Sequence, residues 1–389
     1  MSVEKKAPEI RFKAFDTNWV NYNLSQVTDV YDGTHQTPKY TKSGVMFLSA
    51  ENIKSLTSKK FISQKAFERE FDVYPQQNDV LMTRIGDVGT ANVVETNEKR
   101  AYYVTLALLK YKNLSPYFLK SSISSPFVQR DIWLRTLHIA FPKKINMNEI
   151  KQVSINCPSE PSESEEIGNY FQKLDSLINQ HQQKHDKLSH LKKAMLENMF
   201  PKKGKTVPEI RFKGFSGEWV SASLSKVANK YDNLRIPVTA KDRISGNTPY
   251  YGANGIQSYI EGYTHDGEYV LLAEDGANDL KNYPIHYVNG KVWVNNHAHV
   301  LKAKEMYSNL FLKYALVSID FEPFLVGGGR AKLNASVMMD LEITFTENIE
   351  EQTQIGNYFQ KLDTLIDQHQ QQITKLNNIK QACLSKMFV

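Results

Sequence analysis

From Asn169 to Phe200 apolar side chains return every three to four residues, with neither Pro nor Gly to interrupt them, and the pattern returns from Asn357 to Phe388. This spacing predicts two long amphipathic helices of about 32 residues, each about 48 Å long. In heptad register one stripe of the first helix holds Tyr170, Leu174, Leu177, His181, Lys184, Leu188, Leu191 and Met195. The matching stripe of the second holds Tyr358, Leu362, Leu365, His369, Gln372, Leu376, Ile379 and Cys383. Both stripes are apolar at their ends and polar in the middle, so the helices are expected to pack on each other with His181 and His369 fixing register. The alternative is that each packs on its own domain. An acidic stretch suited to a helix N-terminus precedes each helix, Ser159–Glu166 and Glu347–Gln354. Elsewhere the pattern is shorter. Asp79–Gly86 and Glu268–Ala277 each read as a buried strand running into a Gly turn, and helical patches are expected around Ser115–Ser124 and Tyr307–Ile319.

The helices belong to a larger duplication. Pro8–Asp32 and Pro208–Asp232 agree at about 14 of 25 positions, and Ile167–Phe200 and Ile355–Phe388 at about 22 of 34. No convincing repeat joins the intervening stretches, Gly33–Pro158 and Asn233–Phe345. The plan is therefore constant, variable, constant, written twice. Pro201–Val207, rich in Pro, Gly and Lys, breaks the first helix and links the halves.

A chain of 389 residues with 41% hydrophobic and 23% charged residues can bury sizeable cores in two to four domains. Two widely spaced cysteines, Cys157 and Cys383, offer no disulfide framework or zinc motif, and no apolar run is long enough to span a membrane. A soluble, cytoplasmic protein is expected. The net charge of +6 is uneven: Gly33–Pro158 has about 18 Lys/Arg against 10 Asp/Glu, and Asn233–Phe345 about 10 against 12.

Enzyme motifs fail in turn. Gly204-Lys205-Thr206 has Met199 where a phosphate-binding loop needs its first Gly, and Gly327-Gly328-Gly329 has Lys332 in place of the later Gly of a dinucleotide fingerprint. His181 with His185, and His297 with His299, lack the companions of a metal site, and the Asn/Asp-Pro-Pro-Tyr/Phe motif of amino-methyltransferases is missing. No catalytic residue and no metal is expected. Polar loops are the better candidates, because base edges are read by side chains that can donate or accept hydrogen bonds. In the first half these are Thr34, His35, Gln36, Thr37, Lys39 and Tyr40, followed by Thr83, Arg84 and Asp87. In the second they are Asn254, Asn278, Asn295, Asn296, His297, Arg330 and Lys332.

The two constant blocks and the long helices, with Asp32–Tyr40, Asp79–Gly89, Tyr250–Ile256 and Asn295–Val300 between them, resemble the DNA-specificity subunit of a type I restriction-modification system over essentially the whole length, Pro8 to Phe388. The resemblance implies an α+β fold: two α/β target recognition domains joined by two long helices packed as an antiparallel coiled coil, with an internal pseudo-two-fold repeat. The segments would be a first recognition domain at 1–158 containing block 8–32, a spacer helix at 159–200 and a linker at 201–207. A second recognition domain at 208–345, containing block 208–232, and a second spacer helix at 346–389 would follow. It further implies a non-catalytic subunit in which each domain reads half of a bipartite, asymmetric double-stranded DNA target, with half-sites about one helical turn, ~34 Å, apart. Its implied partners are two methyltransferase subunits and the restriction/translocase subunits. S-adenosylmethionine, ATP and Mg are expected on those partners and no cofactor on this chain. The rival reading is a non-catalytic repeat scaffold whose variable domains bind proteins.

Overall fold

The repeated motif Pro-Glu-Ile-Arg-Phe has a separate task for each of its last three residues, and the tasks are the same in both halves. In the computed structural model, which describes residues 7–327 and 331–389, the Ile10 amide donates to the Lys386 carbonyl at 3.0 Å and the Ile210 amide to the Asn198 carbonyl at 2.9 Å. Each satisfies an orphan carbonyl at a helix end. Arg11 forks onto Glu163 through Nε and Nη2 at 2.6 and 2.7 Å, and Arg211 onto Glu351 at the same distances. Phe12 meets the edge of Tyr170 at 6.1 Å, and Phe212 that of Tyr358 at 5.8 Å. The hydrogen bond from Trp19 Nε1 to Glu163 at 3.2 Å has no counterpart at Trp219, whose buried Nε1 has no hydrogen-bond partner among the described residues.

The long helices span Pro161–Met199 and Ile349–Lys386, 39 and 38 residues, or about 58 Å. They exceed the expected length because the acidic stretches and the Gly of each Ile-Gly-Asn-Tyr-Phe are helical too. Gly is tolerated there for close packing. A Cβ on Gly168 would lie 2.4 Å from Ser115 Oγ and 2.9 Å from the Phe118 amide nitrogen, and one on Gly356 2.8 Å from Leu310 Cβ and 3.0 Å from the Phe311 nitrogen. These neighbours start the helices Pro116–Ser124 and Asn309–Val317, which Ser115 and Ser308 cap.

Two compact units result, one comprising Met1–Gln182 with Gln371–Val389, the other Gln183–Gln370. Each long helix starts in the core of one unit and ends in the core of the other. In unit 1 Phe388 packs with Trp19, Phe118 and Phe171, and in unit 2 Phe200 packs with Trp219, Phe311 and Phe359. Within unit 1 the helical segments run antiparallel: Tyr170 Oη lies 3.6 Å from Cys383 Sγ, and Asp175 pairs with Lys380 at 2.6 Å. In unit 2 Asp363 pairs with Lys192 at 2.5 Å and Phe359 meets Phe200. The two packing alternatives thus hold together within each unit, where one long helix begins on its own half and meets the end of the other helix. The heptad stripe needs one correction. Leu174 and Leu362 are buried as expected, and Tyr170, Leu177, His181, Leu188, Tyr358, Leu365, His369, Leu376 and Ile379 are half-buried. Leu191 is 42% exposed, as are Lys184 and Gln372 largely, while His185, Lys192 and Ile373 turn inward. The buried companion stripe lies one residue further along, through Ile167, Phe171, Ile355 and Phe359.

Unit 1 holds an antiparallel sheet of Asp29–Asp32, Leu106–Lys110, Val80–Thr83 and Ala91–Val93, and a second sheet of Tyr40–Thr41, Phe61–Ile62, Val45–Leu48 and Arg100–Tyr102, the last pair parallel. Unit 2 holds a six-stranded sheet in the order Ala228–Lys230, Ala298–Ala303, His265–Ala273, Ile285–Val294, Ser245–Gly252, Gly255–Ile260. Each unit also has a two-stranded tie beneath its long helix, Val20–Asn23 with Ser154–Cys157 and Val220–Ser223 with Glu342–Phe345.

Two predictions test this frame. Gly168→Ala gains about 1 kcal/mol of helix propensity but meets a capped helix start, and overpacking of this kind costs about 1–3 kcal/mol; urea unfolding should show net destabilisation, and unchanged stability would mean that the Pro116–Ser124 helix shifts freely. Burial pushes the Asp175 carboxyl up, but Lys120 at 2.8 Å and Lys380 at 2.6 Å more than offset it and hold it below the ordinary carboxylate range. Its stabilising contribution is therefore complete above the unfolded value, about 3.9, and is lost as pH falls through the lower folded value. The stability gap between wild type and Asp175→Asn should be constant from about pH 7 to 5 and narrow below about pH 4; a gap independent of pH would contradict the charge pairing.

Candidate nucleic-acid interface

The last residue of each first constant block is an aspartate at the foot of the loops. Asp32 ends the strand Asp29–Asp32, and Asp232 follows Ala228–Lys230 by one residue beyond Tyr231. In unit 1 Arg84 Nη1 donates to Asp32 Oδ1 at 2.5 Å and to the Val104 carbonyl at 3.2 Å, and its Nε to the Ile145 carbonyl at 3.3 Å. Only 6% of Arg84 is exposed. Arg84, expected among the DNA-reading residues, turns its guanidinium inward and braces its own turn against Asp32 at the foot of loop 33–40, against Val104 and against Ile145. Thr83 is buried as well, its hydroxyl donating to the Asp87 carbonyl and accepting from the Thr90 amide, so it closes the turn.

The rest of the first candidate set sits on the rim of that frame. Gly33 is required where the loop begins, since a Cβ would lie 2.5 Å from the Tyr103 carbonyl carbon and oxygen. Thr34 is half-buried and ties the loop to Tyr102 and Val104 through backbone hydrogen bonds. His35, Gln36, Thr37, Lys39 and Tyr40 are exposed, His35 contacting Asp32 through Nε2 at 2.9 Å and Tyr40 packing its ring on Phe47. Asp87 is exposed on the neighbouring turn. A polar cleft of about 460 Å³ opens beside the loop, between Thr34–Gln36 and Phe71–Val73.

Unit 2 solves the same problem with different partners. Asp232 accepts from His299 at 2.7 Å and from the Val300 amide at 2.8 Å, and Glu274 pairs with Arg235 at 2.6 Å and Lys332 at 3.0 Å. Burial pushes Asp232 up, yet His299, the Val300 amide and Arg235 together leave it below the usual carboxylate range. Asp232, Glu274 and His299 place one ligand atom each within 4.8 Å of one another, near enough to share a cation. Arg235 and Lys332 already supply positive charge to those carboxylates, so the cluster reads as a salt-bridge hub. Asn254 spends its amide on a neighbouring loop, donating to the Gly276 carbonyl and accepting from the Asn278 amide, both at 2.9 Å. Asn295 is buried and accepts from the His297 amide at 2.8 Å, and His297 pairs with Asp275. His297 and His299 thus point to different partners. Asn254, Asn278, Asn295 and His297 are brought into one loop cluster through Tyr251, whose carbonyl accepts from the Asn295 amide at 3.1 Å. Asn278, Asn296 and Lys332 are exposed, and Arg330 lies outside the described residues.

A repeat that the sequence concealed appears between the variable segments. Leu137 bridges Lys144 and Ile85 bridges Lys144; in unit 2 Val326 bridges Lys332 and Asp275 bridges Lys332. Next come Ile145 and Leu333, whose amides donate to the Arg84 and Glu274 carbonyls at 2.9 and 2.7 Å. Asn146 and Asn334 then occupy the N-cap of short helices, Met147–Lys151 and Ala335–Asp340. Lys-Ile-Asn and Lys-Leu-Asn are the surviving trace. Three identical or similar residues at a shifted spacing are too few to find without the pairing of their backbones.

Among the described residues no helix is long and apolar enough to cross a membrane. Residues 216–378 match the family described as the type I restriction modification DNA specificity domain. A Haemophilus influenzae protein named as a type I restriction enzyme specificity subunit is 48% identical over 142 residues, and the EcoprrI specificity subunit of Escherichia coli 24% identical over 135. These matches span about a third of this chain and of each relative, 36% and 35% of the chain against 36% and 32% of the relatives. The crystal structure of a type I restriction-modification S subunit from M. genitalium superposes with a TM-score of 0.72 over 99% of both chains at 15% identity, a likeness of fold. Residues 216–378 thus resemble the type I restriction-modification DNA specificity domain, and the whole chain shares the fold of the M. genitalium S subunit.

Proposed function

We propose that this chain is the DNA-reading subunit of a type I restriction-modification assembly, each unit addressing one half of a bipartite, asymmetric duplex target. The observation that carries the reading is the contrast between frame and loops: the same clasp, helix cap and aspartate position recur in both units, while the loops they hold differ in sequence, charge and partners. Identical loops would suit a palindrome; different loops on matched frames suit two unlike half-sites. The excess of Lys and Arg in Gly33–Pro158 suits phosphate contact, and exposed His35, Gln36, Thr37 and Lys39 have the hydrogen-bonding groups that base edges require. The chain itself would read and position. Methylation would be carried out by two methyltransferase subunits binding S-adenosylmethionine, and translocation and cutting by restriction subunits using ATP and Mg. The long helices would space the readers and carry the methyltransferase subunits.

Co-expression with the neighbouring modification subunit in a methylation-deficient host, followed by genome-wide mapping of methyladenine, should return one gapped, asymmetric motif. Exchanging Gly33–Pro158 for the same segment of a relative should change one half of that motif only. An assembled complex with an active modification subunit and no methylated motif would end the DNA-reading proposal in favour of a protein-binding scaffold. Strut and reader should also separate. Arg84→Ala, which strips the buried partner from Asp32, should cost about 3 kcal/mol of stability and leave the methylated motif unchanged in sequence. Gln36→Ala should leave stability within about 0.5 kcal/mol and weaken binding to the mapped target at least tenfold if Gln36 holds a base, as a lost bidentate contact costs about 1–3 kcal/mol. A motif altered by Arg84→Ala would overturn the strut assignment.

A further inference from the structure

Between the helices Pro126–Arg135 and Met147–Lys151 the chain of unit 1 forms a hairpin with an unusual tip. Its arms close where the Leu137 amide donates to the Lys144 carbonyl at 2.8 Å. Its foot is tied to the turn after Val80–Thr83, the Gly86 amide donating to the Lys143 carbonyl at 2.8 Å and the Ile145 amide to the Arg84 carbonyl at 2.9 Å. The foot is thus part of the Arg84 brace. At the tip Ile139 and Phe141 are 100% and 103% exposed, touching nothing that would shield them. Trp133, 60% exposed, stands beside the hairpin with its ring 4.7 Å from His138. Two large apolar side chains fully in water on an anchored loop forgo the burial that would stabilise the fold, which marks an interaction surface.

The surroundings indicate the partner. Arg130, Lys143 and Lys144 are exposed beside the tip, whereas Arg135 is already held by Asp131 and Glu149. Apolar side chains that part base steps, flanked by cations that meet phosphates, are the composition of a DNA wedge. Aromatics and arginine also suit protein interfaces, but lysine is depleted there, so Lys143 and Lys144 tip the balance towards phosphate. In unit 2 Val326 bridges Lys332, and the sequence between them, Gly327-Gly328-Gly329-Arg330-Ala331, contains no aromatic or branched residue. Among the described residues, the exposed apolar tip belongs to unit 1.

We propose that Ile139 and Phe141 form an apolar wedge that enters a base step of duplex DNA in or beside the half-site addressed by unit 1, with Arg130, Lys143 and Lys144 on the flanking phosphates. The inference rests on the DNA-reading function proposed above and adds to it a deformation confined to one half of the target. It predicts that the DNA is unstacked on one side of the gap and not on the other.

The test uses the complex of this chain with its methyltransferase subunits and a duplex bearing the mapped target, with 2-aminopurine placed in turn at each step of both half-sites and their flanks. Wild type should brighten one position severalfold, on the unit 1 side alone. Ile139→Ala with Phe141→Ala should lose that signal and bind about tenfold more weakly, with unchanged thermal unfolding because the tip packs on nothing, and Phe141→Trp should retain the signal. A double variant that brightens and binds like wild type overturns the wedge, as does a wild-type complex that methylates its motif without brightening any position; both leave the DNA-reading function standing. A double variant that no longer co-purifies with the methyltransferase subunits overturns it in favour of a protein contact. A wild-type complex that binds no duplex overturns both readings together.

Discussion

Two glutamates with no exposed surface, Glu163 and Glu351, sit in the first turn of the long helices. A carboxylate there benefits from the helix dipole, but taking it out of water costs several kcal/mol unless a cation with matched geometry comes with it. The forked guanidinium of Arg11 or Arg211 is that cation. Because neither partner can be left alone in a buried site, the first constant block of each half is committed to the start of the helix in the same half. The blocks recur in sequence as a pair because they are chemically one object.

With that join fixed, variation is confined to what lies between. Asp32 and Asp232 occupy the same place on the frame, yet one is answered by Arg84 and His35 and the other by His299 and Arg235. A charged anchor that accepts any of several cationic partners lets the loops above it be rebuilt without disturbing the core. The hairpins ending in Lys144-Ile145-Asn146 and Lys332-Leu333-Asn334 follow the same rule. Their feet are held by matching backbone bridges and a capped helix, and the sequences between those bridges differ.

Much of this frame was legible beforehand. The duplication, the two helices, the strands around Val80–Thr83 and His265–Ala273 and the helices after Ser115 and Ser308 all follow from periodicity and capping chemistry. The helical stripe went astray by one residue at Leu191 and Gln372, since two adjacent heptad registers share Leu174, His181 and Leu188 and only the facing side chains choose between them. The inward turn of Arg84 and Thr83 was not legible, because a polar run after a buried strand gives the same pattern whether its side chains turn out or in. Direction was set by Asp32, fifty residues away in sequence and adjacent in space. The exposed tip at Ile139 and Phe141 escaped for the converse reason, apolar residues being assigned to the interior by default.

Each long helix ends in a core other than the one in which it begins, and this makes unit 2 an insertion within unit 1. Unit 2 is one uninterrupted stretch, Gln183–Gln370, whereas unit 1 waits for Leu384, Met387 and Phe388 to reach Trp19, Phe118 and Phe171. Contacts of such separation are slow to form, because the loop must close before they can reward it. On the ribosome the second-written unit therefore has everything it needs first, and the first-written unit stands with an open aromatic socket until the last helix is released. Once unit 2 has folded, the chain that unit 1 must close over is no longer a free polymer of that length. Sharing two helices thus leaves the earliest-written core incomplete until Leu384, Met387 and Phe388 have been made.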